Sequence, residues 1–184
     1  MNNWYVLTGA PCSGKTTLIE MLQEKGFQTT PELARVYIDE QLAKGITLEE
    51  LRQDELAFQR KILQFKIDFE KKLDPQSIIF LDRGIPDSQA YYKLCGLEND
   101  PILAEAVRNS VYKKVFLFES WPLEKDYART ETPEGQIKLY KYLQEAYQKL
   151  NIPLIKVPVV HKTDKNNLPI NWREKRLSYI LDNL

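Results

Sequence analysis

The stretch Trp4–Leu18, with the sequence WYVLTGAPCSGKTTL, decides the fold that we expect for this chain. Its apolar start, Trp4–Thr8, is typical of a buried strand, and Thr16–Leu22 continues as a helix that ends at Gly26. Between them, Gly9–Thr16 matches the spacing G-x-x-x-x-G-K-[ST] at every fixed position. The stretch therefore predicts a strand, a phosphate-binding loop and a helix in immediate succession.

The chemistry of phosphate binding explains the residue types of this loop. Gly9 and Gly14 lack a Cβ, so the backbone N–H groups around them can converge on a polyphosphate. Lys15 can reach the β and γ phosphates, and the Thr16 hydroxyl can ligate Mg²⁺. A glycine-rich turn without a ligand is the alternative. We expect the following residues to bind ATP: Gly9, Ala10, Pro11, Cys12, Ser13, Gly14, Lys15, Thr16 and Thr17.

Length and composition predict one ordinary globular domain over residues 1–184, of which 43% are hydrophobic and 28% are charged. The 26 basic side chains balance the 26 acidic ones, so no global field attracts nucleic acid or an anionic membrane. Only two cysteines are present, one of them inside the loop, which favours a reducing compartment. With no long apolar run and no leader pattern, we expect a cytoplasmic protein without a membrane span.

A second strand-to-helix junction is predicted at Phe27–Thr30, with Thr30 as the N-cap and Pro31 as the first helical residue. Glu32 and Arg35 lie one helical turn apart there, and ligands of parallel sheets bind beyond the carboxyl ends of the strands. We therefore expect Glu32 to contact an acceptor hydroxyl or act as a general base, and Arg35 to bind the substrate. A surface salt bridge between Glu32 and Arg35 is the alternative.

A third junction follows the apolar strand Ser77–Leu81, which ends in Asp82 and Arg83. An Asp at this position can hold Mg²⁺ beside a phosphate loop. Motor-type ATP hydrolases commonly place a Glu after this Asp to polarise water, whereas Arg83 suits an anionic substrate or a transferred phosphoryl group. The pair favours transfer over hydrolysis, with Asp82 as a catalytic and metal residue and Arg83 as a substrate residue. The alternative for Asp82 is a helix cap or turn residue, and the alternative for Arg83 is a structural salt bridge.

The capping box at residues 47–50 predicts one long helix. Its apolar stripe, which includes Phe58 and Phe65, is expected to form core or a homodimer surface. The charges of Lys61 and Lys66 are expected on the solvated face of this helix. Shorter helices are predicted at residues 86–94 and 100–109.

The segment Glu119–Pro133 has few periodic apolar positions and many charges, so we expect a lid at about residues 119–134. Within it, Arg129 can neutralise charge on the transferred phosphoryl group, and an exposed loop arginine is the alternative. The lid is bracketed by a fourth strand at Val115–Phe118 and by a helix from Pro133 whose apolar stripe includes Ile137.

A fifth strand is predicted at Leu154–Val157. Residues 162–167 after it are expected to form a turn near the adenine of the nucleotide. The sequence K-x-D in this loop is too common by chance to assign guanine specificity. Asn171 is predicted to cap a last helix that runs to Leu184, with Trp172 packing inward.

Taken together, GAPCSGKTT, PELAR, IIFLDRGIPDSQAYY and KDYARTE resemble the P-loop kinase-like AAA domain family related to the bacterial nicotinamide riboside kinase domain. The likeness runs from residue 4 to about 158. It implies a three-layer α/β P-loop NTPase fold, a five-stranded parallel sheet of order 2-3-1-4-5, and ATP and Mg²⁺ as cofactors. The resemblance also implies that Lys15 and Thr16 bind phosphates and Mg²⁺ and that Asp82 serves metal or base chemistry. It implies that Glu32 and Arg35 face the acceptor and that Arg129 is the lid arginine.

Two functions from different classes fit these observations. The first is a Mg²⁺-dependent kinase that moves the γ-phosphoryl group of ATP to a small-molecule acceptor such as a nucleoside. The alternative is a nucleotide-gated ATPase or regulatory binding module without small-molecule kinase activity. A polynucleotide kinase is disfavoured, because the chain has zero net charge and no basic stripe.

Overall fold

The computed structural model of the chain describes residues 2–97, 100–124, 132–160 and 171–184. Its strands are β1 (Trp4–Gly9), β2 (Gln28–Thr29), β3 (Ile79–Asp82), β4 (Lys114–Phe118) and β5 (Leu154–Val157). They form one five-stranded sheet in the order β2-β3-β1-β4-β5, and every pairing is parallel. The predicted P-loop fold class and strand order are confirmed.

Helices cover both faces of this sheet. Helices α1 and α8 pack on one face, α5 and α7 pack on the other, and α4 and α6 contact α5. In the described residues the helices are α1 (Lys15–Glu24), α2 (Leu33–Ala43), α3 (Leu48–Leu51), α4 (Glu55–Glu70), α5 (Ile85–Leu94), α6 (Pro101–Arg108), α7 (Pro133–Gln148) and α8 (Trp172–Leu181).

The central strand β1 is apolar along most of its length because both of its faces are buried. Tyr5 and Leu7 belong to the core under α1 and α8, whereas Trp4 and Val6 belong to the core on the opposite face. All four side chains are buried. Because helices cover both faces, neither set of alternating side chains reaches water, which is the pattern of a parallel sheet.

The carboxyl edge of the sheet gathers the segments that the sequence singles out. In the register of the sheet, Leu7 pairs with Asp82 and Gly9 pairs with Phe118. The phosphate loop therefore leaves β1 between the end of β3 and the end of β4. Parallel sheets place their ligand sites at this edge.

The start of α2 differs from the prediction, because the helix begins at Leu33 with Glu32 in the N-cap position. Thr30 is used elsewhere: its N–H donates to Phe80 O at 2.9 Å, and its Oγ1 accepts a bond from Asp82 N at 3.1 Å. Thr30 thus continues the pairing with β3 and is not the N-cap. The helix therefore begins at Leu33, two residues after the predicted start at Pro31.

The prediction of one long helix after residue 47 is wrong. The capping box does form, but α3 is four residues long. Asp54 then accepts a bond from Ala57 N and starts α4 as a separate helix. Lys66 of α4 is buried instead of solvated. In α7, Ile137 is 60% exposed and does not join the predicted stripe.

No helix in the described ranges has the length and apolar character to cross a bilayer. The middle of the predicted lid, with Arg129, lies outside the described residues. The predicted turn at residues 162–167 lies outside them as well.

Candidate functional site

A cavity of about 650 Å³ opens at the carboxyl edge of the sheet. Residues 11–17 of the phosphate loop line one side of it. Side chains of α2, α4 and the β3–α5 junction line the other side. The two regions predicted from sequence to bind nucleotide and acceptor therefore share one space.

The phosphate loop has a backbone that requires glycine or strain. Gly9 and Gly14 have φ angles of +154° and +74°, and Cys12 adopts a φ of +57° that side chains seldom accept. A Cβ on Gly9 would lie 2.6 Å from Phe118 O, so the neighbouring strand also excludes a side chain there. The loop is thus wound into a tight curve with its backbone turned inward.

Lys15 fills the centre of this curve. Its side chain is buried, and Nζ donates to Gly9 O at 3.0 Å, to Ala10 O at 3.3 Å and to Ser13 Oγ at 2.8 Å. Burial and the nearby Arg83 charge lower the pKa of Lys15, and Asp82 opposes this shift. A cation is therefore held where the sequence predicts the β and γ phosphates.

The amino end of α1 presents backbone donors to the same cavity. Gly14 is the N-cap and supplies no side-chain hydrogen bond. The first N–H groups of a helix lack intrahelical acceptors, and the helix dipole is positive at this end. Thr16 and Thr17 border the cavity here, and Thr16 is exposed. This arrangement suits an anion.

Asp82 fits a metal ligand. The residue is buried, and its Oδ1 has no hydrogen-bond partner among the described residues. Burial and the Glu32 carboxylate raise the pKa of Asp82, although Lys15 and Arg83 oppose the shift. A buried carboxylate oxygen without a partner is costly unless a cation satisfies it. Together with the Thr16 hydroxyl, Asp82 could hold Mg²⁺.

Arg83 joins the parts of the site. Its φ of +69° is unusual for a residue with a side chain. Nε donates to Glu32 Oε1 at 3.1 Å, while Nη1 donates to Gly9 O at 3.0 Å and to Asp87 Oδ1 at 3.1 Å. The guanidinium also lies 5.4 Å from the centre of the Tyr91 ring. The structural salt bridge that was the alternative for Arg83 is present and joins it to Glu32. Arg83 nevertheless borders the cavity.

The structure also brings Glu32 and Arg35 to the cavity wall. Burial favours the neutral form of Glu32, but Arg83, Lys15 and Arg35 outweigh it and hold the pKa of Glu32 below its ordinary value. The Arg83 Nε lies 3.1 Å from Glu32 Oε1 and forms an ion pair with it.

Asp87, within the helix predicted at residues 86–94, is a further residue of the site. It is fully buried and accepts bonds from Thr8 Oγ1 at 2.6 Å, from Gly84 N at 3.0 Å and from the Tyr147 hydroxyl. Because it also accepts from Arg83, Asp87 holds the turn between β3 and α5 in place. An acidic residue in the first turn of a helix was the available signal.

A tryptophan pair covers the other end of the phosphate loop, and its partner Arg176 was missed from sequence. The rings of Trp121 and Trp172 meet edge to face with centres 4.7 Å apart. A Cβ on Gly14 would lie 3.0 Å from a ring atom of each. The buried Arg176 guanidinium lies 4.5 Å from the Trp121 ring centre and donates to Ser13 O and Glu119 O.

Comparison with known proteins gives a family and several structural relatives. The model of the family described as AAA domain matches residues 4–165. A NadR protein in complex with NR superposes with a TM-score of 0.66 and 17% identity, over 97% of this chain and 50% of that one. This chain therefore spans about half the length of NadR. No curated protein sequence matches the chain.

Two kinases match over nearly their whole length. Thymidylate kinase from Ehrlichia chaffeensis has a TM-score of 0.67 and 16% identity, and the match covers 98% of this chain and 97% of that one. Deoxyadenosine kinase from M. mycoides has a TM-score of 0.62 and 15% identity, with the same coverage of 98% and 97%. At these identities the likeness shows a shared fold.

Proposed function

Given that this chain belongs to the AAA domain family, we propose that it transfers the γ-phosphoryl group of ATP to a small-molecule acceptor in a Mg²⁺-dependent reaction. One observation carries the proposal. A single cavity is bordered by Lys15, Asp82, Glu32 and Arg83, so donor and acceptor groups would meet in it. The nucleoside and nucleotide kinases among the structural relatives support the same reaction class.

The phosphate loop would bind the polyphosphate of ATP. The backbone N–H groups that residues 9–17 carry, all but Pro11, and the amino end of α1 would surround the β and γ phosphates. The Lys15 ammonium, which now donates to loop carbonyls, would exchange these acceptors for phosphate oxygens. The ammonium would therefore have to leave the centre of the curve when the polyphosphate enters it.

Thr16 and Asp82 are the proposed Mg²⁺ ligands. When bound, the ion would neutralise charge on the β and γ phosphates and orient them for transfer. The exposed hydroxyl of Thr16 and the unpartnered Oδ1 of Asp82 both border the space in which those phosphates would lie. Two protein ligands, with phosphate oxygens and water, are typical of Mg²⁺.

In the transfer step, an acceptor oxygen attacks the γ phosphorus while the bond to the β,γ-bridging oxygen breaks. ADP leaves with that electron pair. If the attacking oxygen carries a proton, Glu32 is the proposed base, and Arg35 and Arg83 orient the acceptor. Arg129 is the proposed lid arginine that stabilises the charge of the transition state.

The test is an acceptor screen. The protein is incubated with Mg·ATP and a panel of nucleosides, nucleotides, vitamins and sugars, and ADP and the phosphorylated product are followed by phosphorus NMR. We expect ADP formation that depends on one class of acceptor and is absent in Lys15→Met protein. Phosphate release that is equally fast without any acceptor would instead support the gated ATPase.

A further inference from the structure

Lys66 is a buried cation in the wall of the cavity. It is 4% exposed, although its charge predicts a solvated position. Nζ donates to Gly84 O at 3.2 Å and to Ser88 Oγ at 3.3 Å, both long for an ammonium. An ammonium has three donors, and the third has no acceptor among the described residues. Burying such a group is costly unless a ligand completes its bonds.

A second buried cation with an unused donor lies in the same wall. Arg83 is 6% exposed. Its Nε and Nη1 are bonded, whereas Nη2 makes no hydrogen bond within the described part of the chain. A guanidinium and an ammonium that both border one space can bind an anion with several oxygens.

The two charges also act on each other. Burial lowers the pKa of Lys66, and the Arg83 charge lowers it further, while Asp87, Glu70 and Glu32 oppose the shift. Of these carboxylates, Asp87 and Glu32 bond to Arg83 and Glu70 accepts from the Tyr112 hydroxyl. None forms an ion pair with Lys66. An anion between the two cations would relieve their repulsion.

Next to these charges one part of the cavity wall is apolar, although Arg35, Asp39 and Arg52 border the same space. Ala34 and Ile38 of α2 and Phe58 and Ile62 of α4 border the cavity, and the last three form one buried cluster. These four side chains offer contact area and one aromatic ring, and the Arg52 guanidinium lies 5.3 Å from the centre of the Phe58 ring. This part of the wall suits the uncharged, flat part of a ligand whose anionic group lies at the cations.

We propose that the acceptor is a phosphomonoester of the nucleoside monophosphate type, whose phosphate is bound by Lys66 and Arg83 and whose ring lies against the wall of α2 and α4. This inference rests on the proposed function. An oxygen of the acceptor phosphate attacks the γ phosphorus of ATP, the bond to the β,γ-bridging oxygen breaks, and ADP leaves with the electron pair. The product is a diphosphate. The attacking oxygen is already ionised, so no proton has to be removed.

Matched acceptors test the inference on the unmodified protein. AMP, GMP, CMP, UMP and TMP are compared with the corresponding nucleosides in the ADP-forming assay. For at least one base we expect kcat/KM for the monophosphate to exceed that for its nucleoside by about 100-fold, because the two cations bind only the charged group. Equal or faster turnover of the nucleosides would overturn the inference.

A pair of variants on α4 locates the binding group. Lys66→Met replaces the buried ammonium by an apolar chain of similar volume, which preserves packing. We expect it to raise KM for the monophosphate about 10- to 100-fold and to leave the Kd of ATP unchanged. Lys61→Met, at an exposed position of the same helix, should change neither value. If Lys66→Met leaves KM for the monophosphate unchanged, the inference is wrong.

Calorimetry separates failure of the inference from failure of the proposed function. Monophosphates are titrated into protein loaded with Mg²⁺ and AMP-PNP. If they bind to the unmodified protein and weakly to Lys66→Met, but no acceptor is ever phosphorylated, the anion site stands and the kinase proposal fails. If nucleosides are phosphorylated and monophosphates neither bind nor react, the kinase proposal stands and the inference fails. If monophosphates bind no more tightly than nucleosides, the inference fails regardless of turnover.

Discussion

The two sides of the cavity are built in different ways. The side proposed to bind ATP, residues 9–17, is called the donor side and is one continuous segment whose shape comes from its backbone, with positive φ angles at Gly9, Cys12 and Gly14. The side proposed to bind the acceptor, called the acceptor side, is assembled from Glu32, Lys66, Arg83 and the apolar wall of α2 and α4, which are far apart in sequence. The difference teaches that a short motif can specify phosphate binding, whereas acceptor recognition depends on how several elements pack.

The largest expected effect is at the centre of the donor side. Lys15→Met should lower kcat by about 10³-fold with every acceptor, because the ammonium that stabilises charge on the β and γ phosphates is lost. ADP formation under saturating acceptor measures this. Lys25→Met, at an exposed position just after α1, is the matched control and should be unchanged. A Lys15→Met effect that depends on the acceptor would contradict the separation of the two sides.

The next effect is at the boundary between the sides. Asp82→Asn should lower kcat by about 100-fold and should raise the Mg²⁺ concentration for half-maximal rate, because a neutral amide oxygen replaces a charged ligand. Mg²⁺ titrations at constant ATP measure both values. If Asp82→Asn protein kept normal turnover and a normal Mg²⁺ requirement, Asp82 would not be a metal ligand.

The same contrast explains how much the sequence could predict. The strand–loop–helix unit of the donor side depends on neighbours in the chain, so its position in the fold follows from the motif. The family resemblance correctly implies the order of the sheet. Arg83 was placed at the site because it directly follows the strand, which is again local information.

The burial of Lys66 could not be predicted from its charge, although its spacing from apolar residues of α4 indicated it. Phe58, Ile62 and Lys66 follow each other at four-residue intervals, so they share one face of α4. The charge of Lys66 suggested solvent, and the neighbouring polar groups Gly84 O and Ser88 Oγ, which accept its bonds, are known only after folding. Arg176 was missed for the same reason, because its acceptors come from three distant loops.

A third prediction concerns how stability depends on pH through Glu70, a buried carboxyl group on the same helix as Lys66. Glu70 lies behind Lys66, and burial raises its pKa to about 7, although the Tyr112 hydroxyl and Lys66 oppose the shift and Asp87 adds to it. Between the ordinary pKa and this raised value, the unfolded chain loses its proton while the folded chain keeps it. The free energy of unfolding therefore falls as pH rises through this window.

Glu70→Gln removes this titration. Relative to Glu70→Gln, the unmodified protein should lose about 3 kcal/mol of unfolding free energy between about pH 4.5 and about pH 8. Urea unfolding at both pH values measures it. An identical pH profile for Glu70→Gln and the unmodified protein would mean that Glu70 is ionised throughout.

The smallest expected effect is a difference in stability between Gly14→Ala and Gly45→Ala. It separates the cost of the backbone conformation from the cost of side-chain packing at the phosphate loop. Gly14 and Gly45 have similar φ angles, +74° and +85°. An Ala at either position would therefore adopt the left-handed conformation, which lowers the free energy of unfolding by about 1–2 kcal/mol. A Cβ at Gly45 meets nothing within 4 Å, whereas at Gly14 it lies 3.0 Å from ring atoms of Trp121 and Trp172. Gly14→Ala should therefore be less stable than Gly45→Ala by about 1 kcal/mol.

Tryptophan fluorescence gives the second measurement for this pair. Gly14→Ala must separate the Trp121 and Trp172 rings from the loop, so their emission should change, while Gly45→Ala should leave it unchanged. Equal stabilities and unchanged emission in both variants would mean that the Trp121 and Trp172 rings do not oppose a Cβ at Gly14. The donor side would then depend on its own backbone alone, and the tryptophan pair would only cover it.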